Sequence, residues 1–490
     1  MITPSFEEVR ELAKKGTVVP VCNTILADTE TPVSVWLKLF PGKQYSFLLE
    51  SVTGGDTVAR YSFIGADPFL IFRARENSYQ ISGEMSERGT GNPLERLRGL
   101  MHSYKSVHVA GLPRFCGGAV GYCSYDSIRY WENIPDSNPR EDDLDEIFYG
   151  FYRTIIAFDN REHHLLLIQN IFTDETDDLQ EAYKSTVDYL RTLEDRMAVG
   201  LQSTKVSIGP PGPIGSNFER GAYESAVEKC KEYIKAGDIF QVVLSQRFSV
   251  DVDASPFDLY RILRTVNPSP YMFFLNCDTT AIIGASPEML VRVEDGKIET
   301  RPIAGTRPRG KNEAEDERLA AELKADPKEI AEHVMLVDLG RNDIGRVSTF
   351  GTVRADDMMH IEKYSHVMHM VTDVHGYLHE DKDAFDALFS CFPAGTLSGA
   401  PKIRAMEIID ELEPVRRSVY GGALGYIDFA GNLDSCIVIR TIVYKDGKAT
   451  VQAGAGIVAD SVPAKEYEET VNKAGALFAA INRAREMLGE

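Results

Sequence analysis

The sequence predicts an α+β protein built on antiparallel β-sheet. Two Asp-Gly turns, Asp295-Gly296 and Asp446-Gly447, each separate two apolar runs and therefore predict antiparallel hairpins. Amphipathic helical segments lie between the strands without the regular alternation that a parallel βαβ sheet requires. The chain has 490 residues, 43% of them hydrophobic, which is enough for a large buried core.

In the first part of the chain, dense aromatic and aliphatic residues predict strands, and apolar residues at helical spacing predict helices. The predicted elements are a helix at 6–15, strands at 45–52, 60–65 and 165–171, a glycine-rich strand or turn at 117–122, and an amphipathic helix at 177–197.

The second part of the chain mixes the same two signals more closely. The predicted strands are 240–250, 281–283, 289–293, 298–303, 436–444 and 450–457, and the predicted helices are 218–236, 313–325, 329–339, 401–412 and 463–488.

A short segment rich in proline and glycine, residues 209–215, can continue neither a helix nor a central strand. We therefore expect residues 206–216 to connect an N-terminal region, 1–205, to a C-terminal region, 217–490.

The charge and cysteine content exclude several classes of function. A net charge of −21 argues against nucleic acids and anionic membrane surfaces as partners. The seven cysteines are dispersed, no apolar run is long enough for a membrane helix, and residues 1–10 do not resemble a signal peptide. These features predict a soluble cytoplasmic protein with reduced thiols.

Two helical pairs of carboxylates are candidate metal ligands. Glu329 and Glu332 begin one predicted helix, Glu466 and Glu469 begin another, and Lys473 follows one turn later. Spacing of three residues places each pair on one helical face, and several carboxylates together suit a hard cation such as Mg²⁺. The alternative is that both pairs are solvated helix surface.

The loop 394–402 contains small residues and the hydroxyls of Thr396 and Ser398, and it precedes a predicted helix with Lys402 close by. Free amides at a helix N-terminus favour an anion, but the phosphate-binding P-loop spacing is missing. An ordinary capped loop is the alternative.

Arg440 lies inside the predicted apolar strand 436–444, next to a strand with glycines at 454 and 456. An arginine pointing inward would need an anionic partner, and glycines would let a ligand lie against the backbone. An outward-facing arginine is the alternative.

Histidines cluster in one part of the sequence, and two of them have an H-x-x-H spacing. They are His333, His360, His366, His369 and His375. Most histidines are structural, so the pattern alone does not identify a general acid or base. Signatures of serine hydrolases and dinucleotide-dependent oxidoreductases are missing.

Several motifs in one order resemble the chorismate-utilising enzymes, and among these most closely the anthranilate-forming branch. The motifs are residues 237–247, 284–288, 301–307, 329–333 with 338–343, 392–402, 420–426 and 452–473, together with 48–51 and 117–125 in the N-terminal region. The resemblance implies large antiparallel sheets packed together with helices on the outside. It also implies a Mg²⁺-dependent lyase that converts chorismate and ammonia to anthranilate and pyruvate, the first step of tryptophan biosynthesis.

The resemblance also implies a role for individual residues. Glu332 and Glu469 would hold Mg²⁺, with Glu329 and Glu466 close by. The enolpyruvyl carboxylate would bind Arg440, Tyr420 and Gly456, and Lys473, Gly454 and Gly399 would complete the substrate site. The catalytic group would be His369, Glu288, Thr396 and Gln241, with the acid and base roles of His369 and Glu288 left open.

Two positions separate this chain from related branches. Isochorismate- and salicylate-forming relatives have a lysine base where this sequence has Gln241, and aminodeoxychorismate-forming relatives usually have a nucleophilic lysine where it has Ala304. The resemblance therefore favours ammonia as nucleophile and elimination of pyruvate. The alternatives are an aminodeoxychorismate-forming subunit and a non-catalytic regulatory subunit.

The chain has no nucleophilic elbow of a glutamine amidotransferase, so we expect a separate amidotransferase subunit; use of free ammonia alone is the alternative. A further set of residues resembles the family's tryptophan feedback site: Glu50, Ser51, Pro270, Tyr271 and Met272.

Overall fold

Two large antiparallel sheets form the framework of the computed structural model, which describes residues 2–51, 60–201, 206–363 and 367–488. In spatial order, the first sheet contains Ile2–Thr3, Val18–Leu26, His164–Phe172, Thr154–Asp159, Tyr61–Ala66, Tyr45–Glu50, Tyr271–Cys277, Thr280–Ser286, Thr441–Lys445, Lys448–Ile457, Gln241–Asp251 and Gly215–Ser216, and Gly399–Ala400 also pairs with Gln241–Asp251.

The second sheet contains, in spatial order, Ile303–Pro308, Val367–Tyr377, Lys297–Thr300, Met289–Glu294, Leu433–Ile437, Ala423–Asp428, Gly118–Cys123, Ile147–Tyr152, Leu70–Arg75, Ser78–Gly83 and Glu87–Thr90, and Arg354–Lys363 also pairs with Val367–Tyr377. The α-helices are Phe6–Leu12, Pro32–Leu39, Pro93–His102, Leu179–Met197, Arg220–Ala236, Pro256–Val266, Glu313–Ala325, Pro327–Gly345, Ala384–Cys391, Lys402–Leu412 and Pro463–Leu488, with a 3₁₀ helix at Tyr125–Tyr130.

The two sheets pack face to face, and the helices cover their outer faces. Phe47 and Phe273 of the first sheet share a buried cluster with Phe148 of the second. Their strand neighbours Leu48 and Phe274 point the other way, into a core shared with helices. Because side chains alternate across a strand, each strand contributes to two hydrophobic layers. The predicted α+β class with outer helices is confirmed.

Both predicted Asp-Gly hairpins are present. Asp295 and Gly296 have φ of 49° and 78°, and Asp446 and Gly447 have φ of 50° and 78°. Positive φ at both central residues is the requirement of the tight turn that matches the twist of antiparallel strands.

The prediction of one strand at 436–444 is wrong. Leu433–Ile437 belongs to the second sheet and Thr441–Lys445 to the first, so the chain crosses between sheets at residues 438–440. Arg440, at the end of this crossing, has a φ of 51°. The apolar run continues through the crossing because both strands are buried, so the pattern gives no sign of the break.

The predicted strand 298–303 is also two strands, Lys297–Thr300 and Ile303–Pro308, which pair with the same neighbour, Val367–Tyr377. Pro302 lies between them and cannot donate to the ladder, which explains the interruption.

The connector does not divide the sheets. Tyr45–Glu50 pairs with Tyr271–Cys277 in the first sheet, and Gly118–Cys123 pairs with Ala423–Asp428 in the second. Sequence on each side of the connector therefore contributes strands to both sheets. The functional division at residues 206–216 stays a prediction.

Two findings concern the state of the cysteines and the character of the helices. All seven cysteines are buried free thiols. Among the described residues, no helix combines the length and apolar character needed to cross a membrane.

Sheet packing makes one glycine a sharp test of the fold. A Cβ at Gly121 would lie 1.8 Å from the carbonyl oxygen of Phe148 on the neighbouring strand. We expect Gly121→Ala to lower the free energy of unfolding by about 1–3 kcal/mol, since this backbone contact cannot relax cheaply. Gly99, inside the helix Pro93–His102, has open space around it, so Gly99→Ala should be stabilising by about 0.5–1 kcal/mol. Thermal unfolding of both variants tests the register; equal effects would contradict it.

Candidate active site

The site begins where two short glycine segments meet the strand Gln241–Asp251. Gln241 pairs with Ala400, and Val242 pairs with both Gly399 and Ile457. A Cβ at Gly399, which has a φ of 140°, would lie 2.2 Å from the carbonyl oxygen of Gln241. The glycine is therefore required for this strand to approach.

Gln241 and Gly456 lie together at this end of the sheet. A Cβ added to Gly456 would be 2.7 Å from Nε2 of Gln241, so the amide side chain lies across the glycine backbone. The structure thus brings Gln241, Gly399 and Gly456 to one place, as the resemblance implies.

The peptide of Gly454 is held from both sides by two other predicted site residues. Its N–H donates to the hydroxyl of Tyr420, and its carbonyl accepts from Nζ of Lys473 at 3.0 Å. A side chain at position 454 would meet the Tyr420 hydroxyl at 2.9 Å. Glycine therefore keeps this backbone open toward the site.

Arg440 is a half-buried cation without an anionic partner in the described part of the chain. Burial lowers the pKa of its guanidinium, while Tyr420 and Glu469 act in the opposite direction. Neither a salt bridge nor a hydrogen bond to its guanidinium is formed within the described ranges. A pocket of about 570 Å³ is lined by Arg440, Glu469 and Lys473. Such a cation favours an anionic ligand in that pocket.

The expected inward orientation of Arg440 is therefore supported, but by a different local structure. Arg440 is positioned by the crossing between sheets, and its carbonyl accepts from the N–H of Ala285 at 3.2 Å.

All four predicted metal ligands take part in repulsion between neighbouring carboxylates. Burial raises the pKa of Glu332, and the nearby carboxylates of Glu329 and Glu469 raise it further. Burial also raises the pKa of Glu466, with a contribution from Glu469. The two helices therefore bring like charges together across the cleft.

These carboxylates are partly neutralised by cations of the chain. Glu329 accepts from Nη1 of Arg307 at 3.0 Å, and Glu469 forms a salt bridge of 2.7 Å with Lys473. No group of three or more His, Cys, Asp or Glu side chains is arranged as a metal cluster among the residues described. The metal assignment stays a prediction.

Glu288 lies at a second crossing between the sheets, directly beside the crossing that carries Arg440. The strand Thr280–Ser286 belongs to the first sheet and Met289–Glu294 to the second. The N–H of Ile437 donates to the Glu288 carbonyl at 3.0 Å, which joins the two crossings.

Burial raises the pKa of the Glu288 carboxyl to about 7, and the hydrogen bond from Thr396 opposes this effect. The Thr396 hydroxyl donates to Oε1 of Glu288 at 2.8 Å. A carboxyl group with this pKa can be protonated near neutral pH and can act as a general acid.

His369 is positioned by the strand Val367–Tyr377. Its Nδ1 lies 3.2 Å from the carbonyl oxygen of Gly305 and 3.1 Å from Oγ1 of Thr306. Since the carbonyl only accepts, Nδ1 carries the proton and Nε2 is the basic nitrogen. Burial lowers the pKa of His369, and the positive charge of Arg440 also lowers it. The imidazole is therefore neutral near pH 7.

Among the described residues, the other histidines form no metal site with His369. His333 is buried in the core, with Nε2 2.7 Å from the Thr372 hydroxyl, and His375 lies 3.5 Å from Asp356. His366 lies outside the described residues, so its H-x-x-H spacing is not tested.

Lys402 does not serve the anion site predicted for the loop 394–402. Its Nζ forms a salt bridge of 3.0 Å with Asp343 and donates to the Cys391 carbonyl. The helix that starts at Lys402 follows Pro401, which provides no side-chain cap. The group that this loop contributes to the site is therefore the Thr396 hydroxyl, which binds Glu288.

The predicted inhibitor-binding residues line a separate cavity of about 700 Å³. It contains Glu50, Ser51, Pro270, Tyr271 and Met272. They meet because the strand that ends at Glu50 pairs with the strand that begins at Tyr271.

Sequence reasoning missed the partners of Glu50. Its carboxylate accepts from Nε of Arg264 at 2.9 Å and from the hydroxyl of Tyr260. These two residues are four apart on the helix Pro256–Val266, and that spacing is the one available signal that they share a face. The carboxylate that would meet a ligand's ammonium group is thus already oriented by the protein.

Comparisons with known proteins show the family of the chain. The profile of the chorismate binding enzyme family matches residues 45–479. The chain is 52% identical to anthranilate synthase component 1 of Acetivibrio thermocellus, over 99% of this chain and 100% of that protein. It is 48% identical to the protein of the same name from Aquifex aeolicus, over 98% of both chains.

Solved structures share the fold of the chain. Anthranilate synthase component I from Streptococcus pneumoniae superposes with a TM-score of 0.78 at 37% identity, covering 92% of this chain and 98% of that one. The menaquinone-specific isochorismate synthase of Escherichia coli shares the fold, with a TM-score of 0.69 at 19% identity over 97% and 98% of the two chains.

Proposed function

The chain belongs to the family of chorismate-binding enzymes, and from that premise we propose that it catalyses the anthranilate synthase reaction as the large subunit. Chorismate and ammonia give anthranilate, pyruvate and water. The observation that carries the proposal is the placement of an unpartnered arginine, Arg440, and of a carboxyl group that can be protonated near neutral pH, Glu288, on two adjoining crossings between the sheets.

The site has complementary groups for a dianionic substrate. Arg440 and the backbone at Gly456 would bind the enolpyruvyl carboxylate, with the Tyr420 hydroxyl beside them. Lys473 adds a second positive charge at the same pocket. These groups supply the local positive charge that the acidic chain as a whole lacks.

Magnesium fits the remaining donor set. Glu332 and Glu469, with Glu466 and Glu329 close by, are hard oxygen ligands of the kind that Mg²⁺ prefers. Burial raises the pKa of Glu332, repulsion from Glu329 and Glu469 raises it further, and a bound cation would relieve this repulsion. When bound, Mg²⁺ would supply positive charge for the ring carboxylate of chorismate.

The acid and base roles follow from opposite effects of burial on two groups. In the first step, ammonia forms a bond to C2 of the ring, both ring double bonds shift, and the C4 hydroxyl leaves as water with the proton of Glu288; the new ammonium group then loses one proton, which restores the Glu288 carboxyl. In the second step, Nε2 of His369 takes the proton from C2, the bond between C3 and the enolpyruvyl oxygen breaks as the ring becomes aromatic, and the enolpyruvate takes up that proton at its methylene carbon to leave as pyruvate. A protonated carboxyl and a neutral imidazole match these two tasks.

Two neutral side chains favour this outcome over related reactions. Gln241 presents an amide and not a lysine, so water is not activated there, while ammonia needs no base because it carries its own lone pair. Ala304 is a buried residue of the strand Ile303–Pro308 opposite Met370 and offers no amine nucleophile.

A partner subunit and a regulatory ligand complete the proposal. A glutamine amidotransferase subunit, the second component of anthranilate synthase, would supply ammonia from glutamine. Tryptophan would bind the cavity at Glu50 and Ser51. The buried free thiols suit the reducing cytoplasm, where we place the enzyme.

The direct test is an assay of the purified chain with chorismate, Mg²⁺ and ammonium. Anthranilate fluorescence should rise together with an equal amount of pyruvate. Glutamine in place of ammonium should give no product until the amidotransferase subunit is added. An aminated product without pyruvate would instead identify the aminodeoxychorismate-forming branch, and product from glutamine without a partner would contradict the need for one.

The pH dependence tests the role of Glu288. An acid must be protonated, so kcat should fall as the pH rises through about 7, the pKa of Glu288. Glu288→Gln should lower kcat by about 10²–10⁴-fold. In Thr396→Val, the carboxyl loses a hydrogen bond that favours its ionised form, so the decrease in kcat should move to higher pH by about one pH unit. If Glu288→Gln still shows this decrease near pH 7, another group causes it.

The metal assignment is tested by Glu332→Gln. Loss of one carboxylate ligand should raise the Mg²⁺ concentration for half-maximal activity by about 10–100-fold. Asp338→Asn on the same helix removes a carboxylate that is 77% exposed and should leave the Mg²⁺ dependence unchanged. Full Mg²⁺-dependent activity of Glu332→Gln would refute the assignment.

The regulatory site is tested by Ser51→Phe. A phenyl ring would fill part of the cavity, so tryptophan should no longer inhibit, while the uninhibited kcat stays close to that of the wild type. Ser78→Phe, at an exposed position of the second sheet, is the matched control and should remain inhibited. Inhibition that is unchanged in Ser51→Phe would show that tryptophan binds elsewhere.

A further inference from the structure

One buried ion pair contacts three separate segments of the proposed site. Arg417 and Glu413 are 2% and 3% exposed and lie on the segment that follows the helix Lys402–Leu412. Nε of Arg417 donates to Oε2 of Glu413 at 2.9 Å, and Nη2 donates to Oε1 at 2.6 Å. The pair is therefore bidentate, which fixes the orientation of the planar guanidinium.

The remaining donors of this guanidinium reach two segments that carry site residues. Nη1 of Arg417 donates to the Leu397 carbonyl at 2.6 Å, and Nη2 donates to the Val243 carbonyl at 2.7 Å. Leu397 follows Thr396 directly, and Val243 is two residues after Gln241 on the same strand.

The third segment is that of Tyr420. The guanidinium carbon of Arg417 lies 5.7 Å from the centre of the Tyr420 ring, and the N–H of Tyr420 donates to the Arg417 carbonyl at 3.3 Å. Glu413 adds a further contact to the strand, because its Oε1 accepts from both the N–H and the hydroxyl of Ser245 at 2.8 and 2.7 Å.

We propose that Arg417, fixed by Glu413, is a positioning residue that sets the mutual geometry of Thr396, Gln241 and Tyr420 in the active site. The proposal rests on the proposed anthranilate synthase activity. Stability alone gives little reason for such a pair, since a well-packed apolar pair of similar volume is often as stable as a buried ion pair. A guanidinium group is planar and has several donors, so it can hold the carbonyls of Leu397 and Val243 at fixed distances from each other.

The first test is Arg417→Lys, which keeps the positive charge but loses the planar guanidinium group with its several N–H donors. We expect kcat/KM for chorismate to fall by about 10- to 100-fold, with a decrease in kcat at saturating chorismate, because misplaced groups act on the reacting atoms. Assays with ammonium remove any contribution of the amidotransferase subunit.

The matched control is Arg129→Lys. Arg129 is also largely buried and forms ion pairs with three carboxylates, Asp126 at 2.7 Å, Asp410 at 2.6 Å and Asp136 at 3.4 Å, but among the described residues it forms no hydrogen bond or ion pair with the three segments. We expect a similar loss of thermal stability with kcat within about twofold of the wild type. An equal loss of kcat in both variants would overturn the proposal.

A second variant distinguishes a loss of active-site positioning from a loss of folding. Arg417→Met combined with Glu413→Leu leaves no lone buried charge and should fold, as circular dichroism and thermal unfolding will show. It should lose activity like Arg417→Lys; wild-type kcat in the folded double variant would overturn the positioning role. Failure of the proposed function is distinguishable, because the wild-type chain itself would then form no anthranilate.

Discussion

The site depends on two neighbouring segments that cross from one sheet to the other side by side. The crossing after Ser286 and the crossing after Ile437 are joined by backbone and side-chain hydrogen bonds, including one of 2.7 Å from the Ser286 hydroxyl to the Ile437 carbonyl. Buried backbone groups must find partners where the ladder of either sheet ends. The two crossings supply several of these partners to each other, and the pair thereby places Glu288 and Arg440 on neighbouring segments.

The groups in this cleft differ from most buried charged groups of the protein. Elsewhere in the described chain most buried charged side chains form ion pairs, as Arg417 does with Glu413, although Asp428 is bound only by Asn432 and backbone N–H groups. Arg440 has no such partner among the described residues, and Glu288 has only a hydroxyl. Unpaired buried charge costs stability, and a ligand that pairs with it recovers that free energy as binding. The net charge of −21 therefore says little about the local preference for an anion.

Much of the fold was predictable because its signals are local. The hairpins at Asp295 and Asp446 follow from turn chemistry, and the helix 463–488 was predicted with its observed ends because Pro463 and a regular apolar stripe mark it. The break at residues 438–440 was not predictable, because a strand buried on both faces has no period that a crossing could interrupt. The partners of Glu50 and of Lys402 were missed for a related reason: they are distant in sequence.

The sequence by itself determined the residue types of the site: two carboxylate pairs, Glu288, His369, Thr396 and Arg440 in one order along the chain. It also determined that they belong to helices, strands and glycine turns. Only the tertiary structure decided which of them meet, that Glu329 binds Arg307, and that burial moves the pKa of Glu288 up and that of His369 down. Burial and long-range pairing are properties of the packed sheets, and no local pattern encodes them.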